Sequence, residues 1–232
     1  MKKKLSKSFF IFNPKSYLFG NEIEKMSKVA EELAQKYPNI SILLTTPYAD
    51  IYRASQNVSK AFISAQHIDG IKPGRGMGSV LPESIVSSGA SATFINHAEH
   101  PLTFDEIIGA VRRADSLGLL TIVCANSIEE ARAVATLKPD VILCEPTELI
   151  GTGKTSPEDY IVNTNKVIKE ISPKTLVMQG AGISRPEDVY NVIKLGADGT
   201  GCTSGITNAS DPAEMFKDMV KACYDATVEK GV

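Results

Sequence analysis

A carboxylate that directly follows a short apolar segment is the feature of the sequence most suggestive of chemistry. Val141–Cys144 is entirely apolar, Glu145 follows it, and the next residues include Gly151 and Gly153. Burial among apolar neighbours raises the pKa of a carboxyl group and makes it a stronger base near neutral pH. A glycine-containing segment can close over a substrate or contact a phosphate through its backbone amides. The combination predicts proton abstraction from a phosphorylated substrate, and the alternative is a structural carboxylate paired with a basic neighbour.

Two other polar side chains that suit this chemistry follow other apolar segments. His97 comes after Phe94-Ile95-Asn96, and an imidazole can polarise a carbonyl group or transfer a proton at physiological pH. Lys15 follows the first apolar segment, and its positive charge suits an anionic substrate, with Asn13 placed to orient it. The alternatives are a structural, hydrogen-bonded histidine and a solvated surface lysine.

The spacing of the polar residues favours neither a metal site nor a nucleotide-binding loop. His97-Ala98-Glu99-His100 contains possible ligands, but the Pro-Cys-x-x-Cys partner of the zinc deaminases is missing. The segment from Gly151 to Thr155 resembles the end of a P-loop, which requires a glycine at the position of Glu148. We therefore expect no metal and no cofactor.

Two segments of small residues predict a phosphate site. Gly180-Ala181-Gly182-Ile183-Ser184 and Thr203-Ser204-Gly205 follow the last two predicted strands. Small residues allow backbone amides to approach an anion closely, and in α/β barrels a phosphate site is frequently built from these two loops.

The elements that position these residues alternate along the whole chain. Apolar strands are predicted at residues 9–12, 40–44, 62–65, 92–95, 120–124, 141–144, 176–178 and 199–202. Amphipathic helices are predicted at residues 21–36, 51–57, 82–88, 103–117, 127–136, 157–170, 185–195 and 212–228. Eight strand–helix units of even spacing favour an α/β fold, a (β/α)₈ barrel, over an open doubly wound sheet. In a barrel the polar residues after the strands share one mouth.

Several helix starts are also readable. Thr103 with Glu106 and Ser184 with Glu187 fit capping boxes, and Ser156 precedes a proline at an expected first helical position.

Length and composition agree with a barrel enzyme. The chain has 232 residues, 43% of them hydrophobic, and a formal net charge of −2. We expect one domain over residues 1–232, because such barrels reach this size as one unit. The charge disfavours nucleic acid or an anionic membrane as a partner, and no apolar run is long enough to span a bilayer. The four cysteines form no C-x-x-C pair, so we expect reduced thiols and a cytoplasmic location.

Taken together, these motifs resemble the triosephosphate isomerase family over the whole chain, and most closely its short, archaeal-type branch. Asn13-Pro14-Lys15 is similar to the family's Asn-x-Lys turn, and Asn96-His97-Ala98-Glu99 to the segment with its electrophilic histidine. The segment from Glu145 to Lys154 is similar to the family's base and closing lid, and it is the most specific match.

The resemblance implies an isomerase of glycolysis and gluconeogenesis that interconverts dihydroxyacetone phosphate and D-glyceraldehyde 3-phosphate through an enediolate. It implies that Glu145 moves the carbon-bound proton, neutral His97 serves the two oxygens, and Lys15 balances developing negative charge. The substrate-binding residues that it implies are Asn13, Lys15, Ile150, Gly151, Gly182, Thr203 and Ser204.

The chain also departs from the family pattern. Ala98 stands where the family usually has serine, which leaves open an isomerase for another small sugar phosphate, such as a tetrulose phosphate. A non-catalytic phosphate-binding barrel is the other alternative. The loop at residues 72–80 is glycine-rich and contains the apolar Met77, and the resemblance implies that it packs into another subunit of a homodimer or homotetramer.

Overall fold

The structure is a computed structural model that describes residues 2–149, 152 and 155–231, and its strands close into a ring. The strands are β1 (Ser8–Phe12), β2 (Ile40–Thr46), β3 (Phe62–Ala65), β4 (Ala92–Ile95), β5 (Leu120–Ala125), β6 (Val141–Cys144), β7 (Leu176–Gln179) and β8 (Gly199–Cys202). Neighbours pair in parallel and in sequence order, and β1 closes on β8 with Phe9 opposite Gly199. The predicted barrel is confirmed, and the open sheet is excluded.

Helices cover the outside of this ring. They are α1 (Asn21–Lys36), α2 (Ile51–Ser55), α3 (Pro82–Ser87), α4 (Phe104–Leu117), α5 (Ile128–Ala135), α6 (Glu158–Ile171), α7 (Pro186–Lys194), α8 (Ser204–Thr207) and α9 (Pro212–Glu229). All but α8 match predicted helices to within two residues at either end. The short α8 lies where the sequence predicted only a loop.

Side chains that point inward fill the barrel, and β8 makes room for them. A Cβ atom on Gly199 would lie 2.4 Å from the ring of Phe9, and one on Gly201 would lie 2.4 Å from the carbonyl oxygen of Ile11. The bulky inward-pointing side chains of the other strands therefore pack against β8, whose two glycines take up almost no volume inside the barrel. Ile11, Phe94, Leu143 and Met178 form the apolar floor beneath the mouth of the barrel.

The capping pair at the start of α4 is the predicted one, whereas the capping pair at the start of α7 differs from the prediction. Thr103 and Glu106 form the expected reciprocal capping box at the start of α4. The expected pair of Ser184 with Glu187 is wrong, because Asp188 accepts hydrogen bonds from the backbone N–H groups of Ser184 and Arg185. The helix begins one residue later than the spacing indicated, which brings Asp188 rather than its neighbour to the capping position.

The start of α6 also differs from the prediction. Pro157 is in an extended conformation and precedes the first helical residue, Glu158, and no side chain of the described part of the chain caps this end. The hydroxyl of Ser156 is buried and has no hydrogen-bond partner within the described residues. The expected serine cap is therefore wrong.

Candidate active site

A cavity of about 120 Å³ opens at the carboxyl ends of the strands. The predicted site residues that line it are Asn13, Lys15, His97, Glu145, Gly182, Thr203 and Ser204. They come from the loops after five different strands, β1, β4, β6, β7 and β8, and they meet because a parallel barrel brings these strand ends together. Ile150 and Gly151, also predicted to bind substrate, lie outside the described residues.

The turn after β1 holds Lys15 in a left-handed backbone conformation, with a φ of 49°. The side-chain oxygen of Asn13 accepts a hydrogen bond from the Lys15 backbone N–H at 2.9 Å, and Gln66 donates to the Lys15 carbonyl at 2.8 Å. The Nζ atom of Lys15 forms an ion pair with Glu99 Oε1 at 2.6 Å. These contacts orient both the backbone and the ammonium group toward the cavity. The alternative of a solvated surface lysine is therefore wrong.

The loop after β4 sets the protonation pattern of His97. The backbone N–H of Glu99 donates to His97 Nδ1 at 3.1 Å, so Nδ1 is the acceptor of the neutral ring and Nε2 carries the proton. Burial lowers the pKa of His97, the nearby charge of Lys15 lowers it further, and the carboxylate of Glu99 opposes both. A neutral imidazole at neutral pH can donate a hydrogen bond from Nε2 to an oxygen atom in the cavity.

Glu145 follows β6 and is held by a hydrogen bond from its backbone N–H to the carbonyl of Ala125 at 3.0 Å. Burial raises the pKa of its carboxyl group, and the positive charge of Lys15 only partly opposes this. Lys15 forms its ion pair with Glu99 and not with Glu145. A Cβ atom on Gly180 would lie 2.7 Å from Cδ1 of Leu143 and 3.5 Å from Glu145 Oε1, so this glycine packs closely against the end of β6 that carries the carboxylate. The geometry fits a general base better than it fits a paired structural carboxylate.

The loops after β7 and β8 pack against each other at the rim. A Cβ atom on Gly205 would lie 2.6 Å from the carbonyl oxygen of Ser184, so only glycine permits this approach. The thiol of Cys202 donates to the carbonyl of Ile183 at 3.1 Å. Gly182 has a φ of 68°, a conformation that glycine adopts at little cost. The two predicted phosphate segments thus form one continuous wall.

Two features of this site were missed in the sequence, the pairing of Glu99 and the position of Tyr17. Glu99 is the ion-pair partner of Lys15, and Tyr17 lines the cavity although its side chain is largely exposed. The position of Glu99 after β4 predicted that it lies at the mouth, but nothing in the sequence pattern paired it with Lys15. Nothing in the sequence pattern distinguishes Tyr17 from other surface aromatic residues.

A family model described as triosephosphate isomerase matches residues 8–223, which is most of the chain. The chain belongs to the triosephosphate isomerase family. The resemblance predicted from the motifs is confirmed, and so is the enzyme class, an aldose–ketose isomerase of a small sugar phosphate.

Relatives named triosephosphate isomerase come from several archaea. The protein from Methanobacterium bryantii is 43% identical over 215 residues, which cover 90% of this chain and 94% of the relative. The protein from Saccharolobus solfataricus is 38% identical, covering 93% and 96% of the two chains. The protein from Methanocaldococcus jannaschii is 37% identical, covering 91% and 98% of the two chains.

No helix within the described ranges is long and apolar enough to cross a membrane.

Proposed function

We propose that this chain interconverts dihydroxyacetone phosphate and D-glyceraldehyde 3-phosphate by proton transfer through an enediolate, with Glu145 as the base. The observation that supports these roles is the convergence of Glu145, His97 and Lys15 on one cavity whose far wall is built from small residues. One acid–base group, one neutral hydrogen-bond donor and one cation are what a proton shift beside a carbonyl group requires.

The sequence of events follows from the position of each group. Glu145 removes a proton from the hydroxymethyl carbon of dihydroxyacetone phosphate, and the electron pair of that bond forms the carbon–carbon double bond of the enediolate. The Nε2–H group of His97 and the ammonium of Lys15 stabilise the negative charge that develops on the carbonyl oxygen. His97 then serves the proton exchange between the two oxygens, and Glu145, whose carboxyl proton exchanges with solvent while the enediolate persists, delivers a proton to the neighbouring carbon. This division of roles is the one that the family resemblance implies.

The phosphate of the substrate is assigned to the wall formed by the loops after β7 and β8. Gly182, Thr203 and Ser204 lie there, and small residues let backbone amides approach an anion. Ile150 and Gly151 are proposed to contact the same end of the substrate on the basis of the resemblance alone. Asn13 is proposed to act by holding Lys15, with its amide facing the bound substrate.

Association of this chain with itself forms a further part of the proposal. Met77 is fully exposed at the tip of the loop at residues 72–80. The base of this loop is fixed, because Asp69 exchanges two hydrogen bonds with Val80 at 3.0 and 2.6 Å. A firmly anchored loop that presents an isolated apolar side chain suits insertion into a second copy. We therefore expect a homodimer or a homotetramer.

The test of the activity is an isomerisation assay on the purified chain. Glyceraldehyde 3-phosphate and a tetrose phosphate are offered separately, and formation of the ketose phosphate is followed by coupled oxidation of a nicotinamide cofactor. The proposal expects rapid turnover of the triose phosphate and loss of that turnover in Glu145→Gln. Preference for the four-carbon substrate would favour the alternative isomerase. Binding of the triose phosphate without turnover would favour the non-catalytic barrel.

A further inference from the structure

We infer that Asn96 is a positioning residue for His97, an inference that rests on the proposed function. Its side chain and its unusual backbone conformation together hold the loop at residues 97–102. That loop presents the backbone N–H of Glu99 to His97 Nδ1 and thereby keeps the proton of the imidazole on Nε2.

The backbone of Asn96 makes the turn that places His97 at the mouth. Asn96 directly follows β4 and has a φ of 62°, in the left-handed region that side chains other than those of asparagine and aspartate rarely adopt. The chain thereby leaves the direction of the strand at once, and His97 enters the cavity instead of continuing along the barrel wall.

The side chain of Asn96 closes the same loop at both of its ends. Its Nδ2 group donates to the carbonyl of Cys124 on β5 at 3.1 Å, and its Oδ1 atom accepts from the backbone N–H of Leu102 at 2.9 Å. One amide group therefore links the start of the loop, its end and the neighbouring strand.

Inside the loop, the contact that sets the tautomer depends on this closure. The backbone N–H of His100 donates to the carbonyl of His97 at 2.7 Å, which forms a tight turn, and the N–H of Glu99 points back at His97 Nδ1. Glu99 also holds Lys15 through its carboxylate. Displacement of the loop would therefore disturb the imidazole and the ammonium together.

Side-chain packing supports this loop at two points: the ring of His100 lies 4.3 Å from the ring of His67, and Leu102 packs against the core. Ala98, Glu99, His100 and Pro101 are all exposed. Ala98, Pro101 and Leu102 of this loop line a cavity of about 240 Å³. The hydrogen bonds of Asn96 act beside these contacts and are the ones that tie the start of the loop to both its end and β5.

The test separates the backbone role of Asn96 from that of its side chain. Asn96→Gly retains the left-handed conformation and removes both side-chain hydrogen bonds, whereas Asn96→Asp retains the acceptor for Leu102 and removes the donor to Cys124. Asn126→Ala is the matched control, because Asn126 lines the same cavity and is exposed, outside the proposed catalytic set. For each variant kcat, KM and the ¹⁵N chemical shifts of His97 are measured, with circular dichroism to verify folding.

We expect Asn96→Gly to lower kcat by ~10²-fold with KM changed by less than about threefold, because a small displacement of a catalytic group has this effect on rate. The ¹⁵N spectrum should show a protonated Nε2 in the unaltered chain and a mixture of the two neutral tautomers in Asn96→Gly. Asn96→Asp should recover part of the loss, and Asn126→Ala should match the unaltered chain.

Two results would overturn the inference: a kcat that stays unaltered in Asn96→Gly, or a lower kcat with the ¹⁵N shifts of His97 unchanged. The second result would mean that Asn96 only stabilises the fold. If the unaltered chain has no isomerase activity, the proposed function fails, and the ¹⁵N comparison still decides whether Asn96 sets the tautomer. With only three histidines in the chain, the signals can be assigned by comparison with His97→Gln.

Discussion

The Nζ atom of Lys15 lies 2.6 Å from Oε1 of Glu99, although the two residues are 84 positions apart in the sequence. This ion pair joins the loop after β1 to the loop after β4. An ammonium group has three donors, so the contact with Glu99 leaves two for other partners in the cavity. Glu99 thus orients the ammonium group of Lys15 and leaves two of its three N–H donors available.

The side chain of Glu99 is 62% exposed, which limits what its ion pair contributes. Exposed pairs contribute up to about 1 kcal/mol, so we expect Glu99→Gln to lower kcat/KM by about fivefold at most. Lys15→Met removes the cation itself and should lower it by ~10²-fold or more. Glu24→Gln, which removes the exposed Glu24–Lys28 pair on α1, is the control and should leave the kinetics unchanged. A loss in Glu99→Gln as large as that in Lys15→Met would contradict this ranking.

The pH dependence of the rate should report the carboxyl group of Glu145. Its active form is ionised, and burial raises its pKa above the ordinary value of 4.5. We therefore expect kcat/KM to fall with decreasing pH through a pKa higher than 4.5. Protonation of His97 would act in the same direction, and burial lowers the pKa of its imidazole below the ordinary value of 6.5. The measurement is kcat/KM across pH 4–9, with circular dichroism to verify folding at each pH. A rate independent of pH down to 4.5 in the folded protein would contradict the assignment.

A second carboxylate, far from the mouth, should govern stability in acid. Glu31 on α1 is buried, which alone would raise its pKa, but hydrogen bonds from Ala61, Ser59 and Gln35 outweigh burial and lower the pKa to about 2. A lowered pKa stabilises the folded state above the unfolded value, near 4.5, and this stabilisation is lost as the pH falls from there toward 2.

The matched pair of variants on α1 tests this contribution. Glu31→Gln should destabilise the chain by about 1–3 kcal/mol at pH 7, because it leaves buried donors without an ionised acceptor. The difference from the unaltered chain should shrink as the pH falls toward 2. Glu32→Gln, at the adjacent exposed position, should have little effect. Urea unfolding at pH 7, 4 and 3 measures the three chains, and a pH-independent difference would argue against Glu31.

Much of the fold follows from alternation in the sequence, and β3, β4, β6 and β8 have the predicted bounds, with every residue of these four strands buried. The members of the site were also predictable, since polar residues after parallel strands must share one mouth. The pairing of Lys15 with Glu99 was not predictable, because it depends on the conformations of two loops, which the local sequence pattern does not specify. The role of Asn96 was hidden for the same reason, since a positive φ and a hydrogen bond across to β5 have no periodic signature.

Self-association should depend on Met77. We expect sedimentation velocity at micromolar concentration to show a dimer or a tetramer for the unaltered chain. Met77→Asp should shift it toward the monomer, because a charge at the tip of the loop disfavours burial in a partner. Lys72→Asp introduces the same side chain at the start of the loop and is the control for the effect of charge alone. The assembly of this variant should dissociate less than that of Met77→Asp. A monomeric unaltered chain would refute the proposed assembly.

The exchange of hydrogen with solvent tests the central claim most directly. Dihydroxyacetone phosphate is incubated with the enzyme in D₂O, and the deuterium content of both triose phosphates is measured by NMR. A carboxylate that carries the proton through an enediolate predicts deuterium at the carbon that gains hydrogen, at a rate comparable to isomerisation, and its loss in Glu145→Gln. Isomerisation without deuterium incorporation, or incorporation that persists undiminished in Glu145→Gln, would contradict Glu145 as the base.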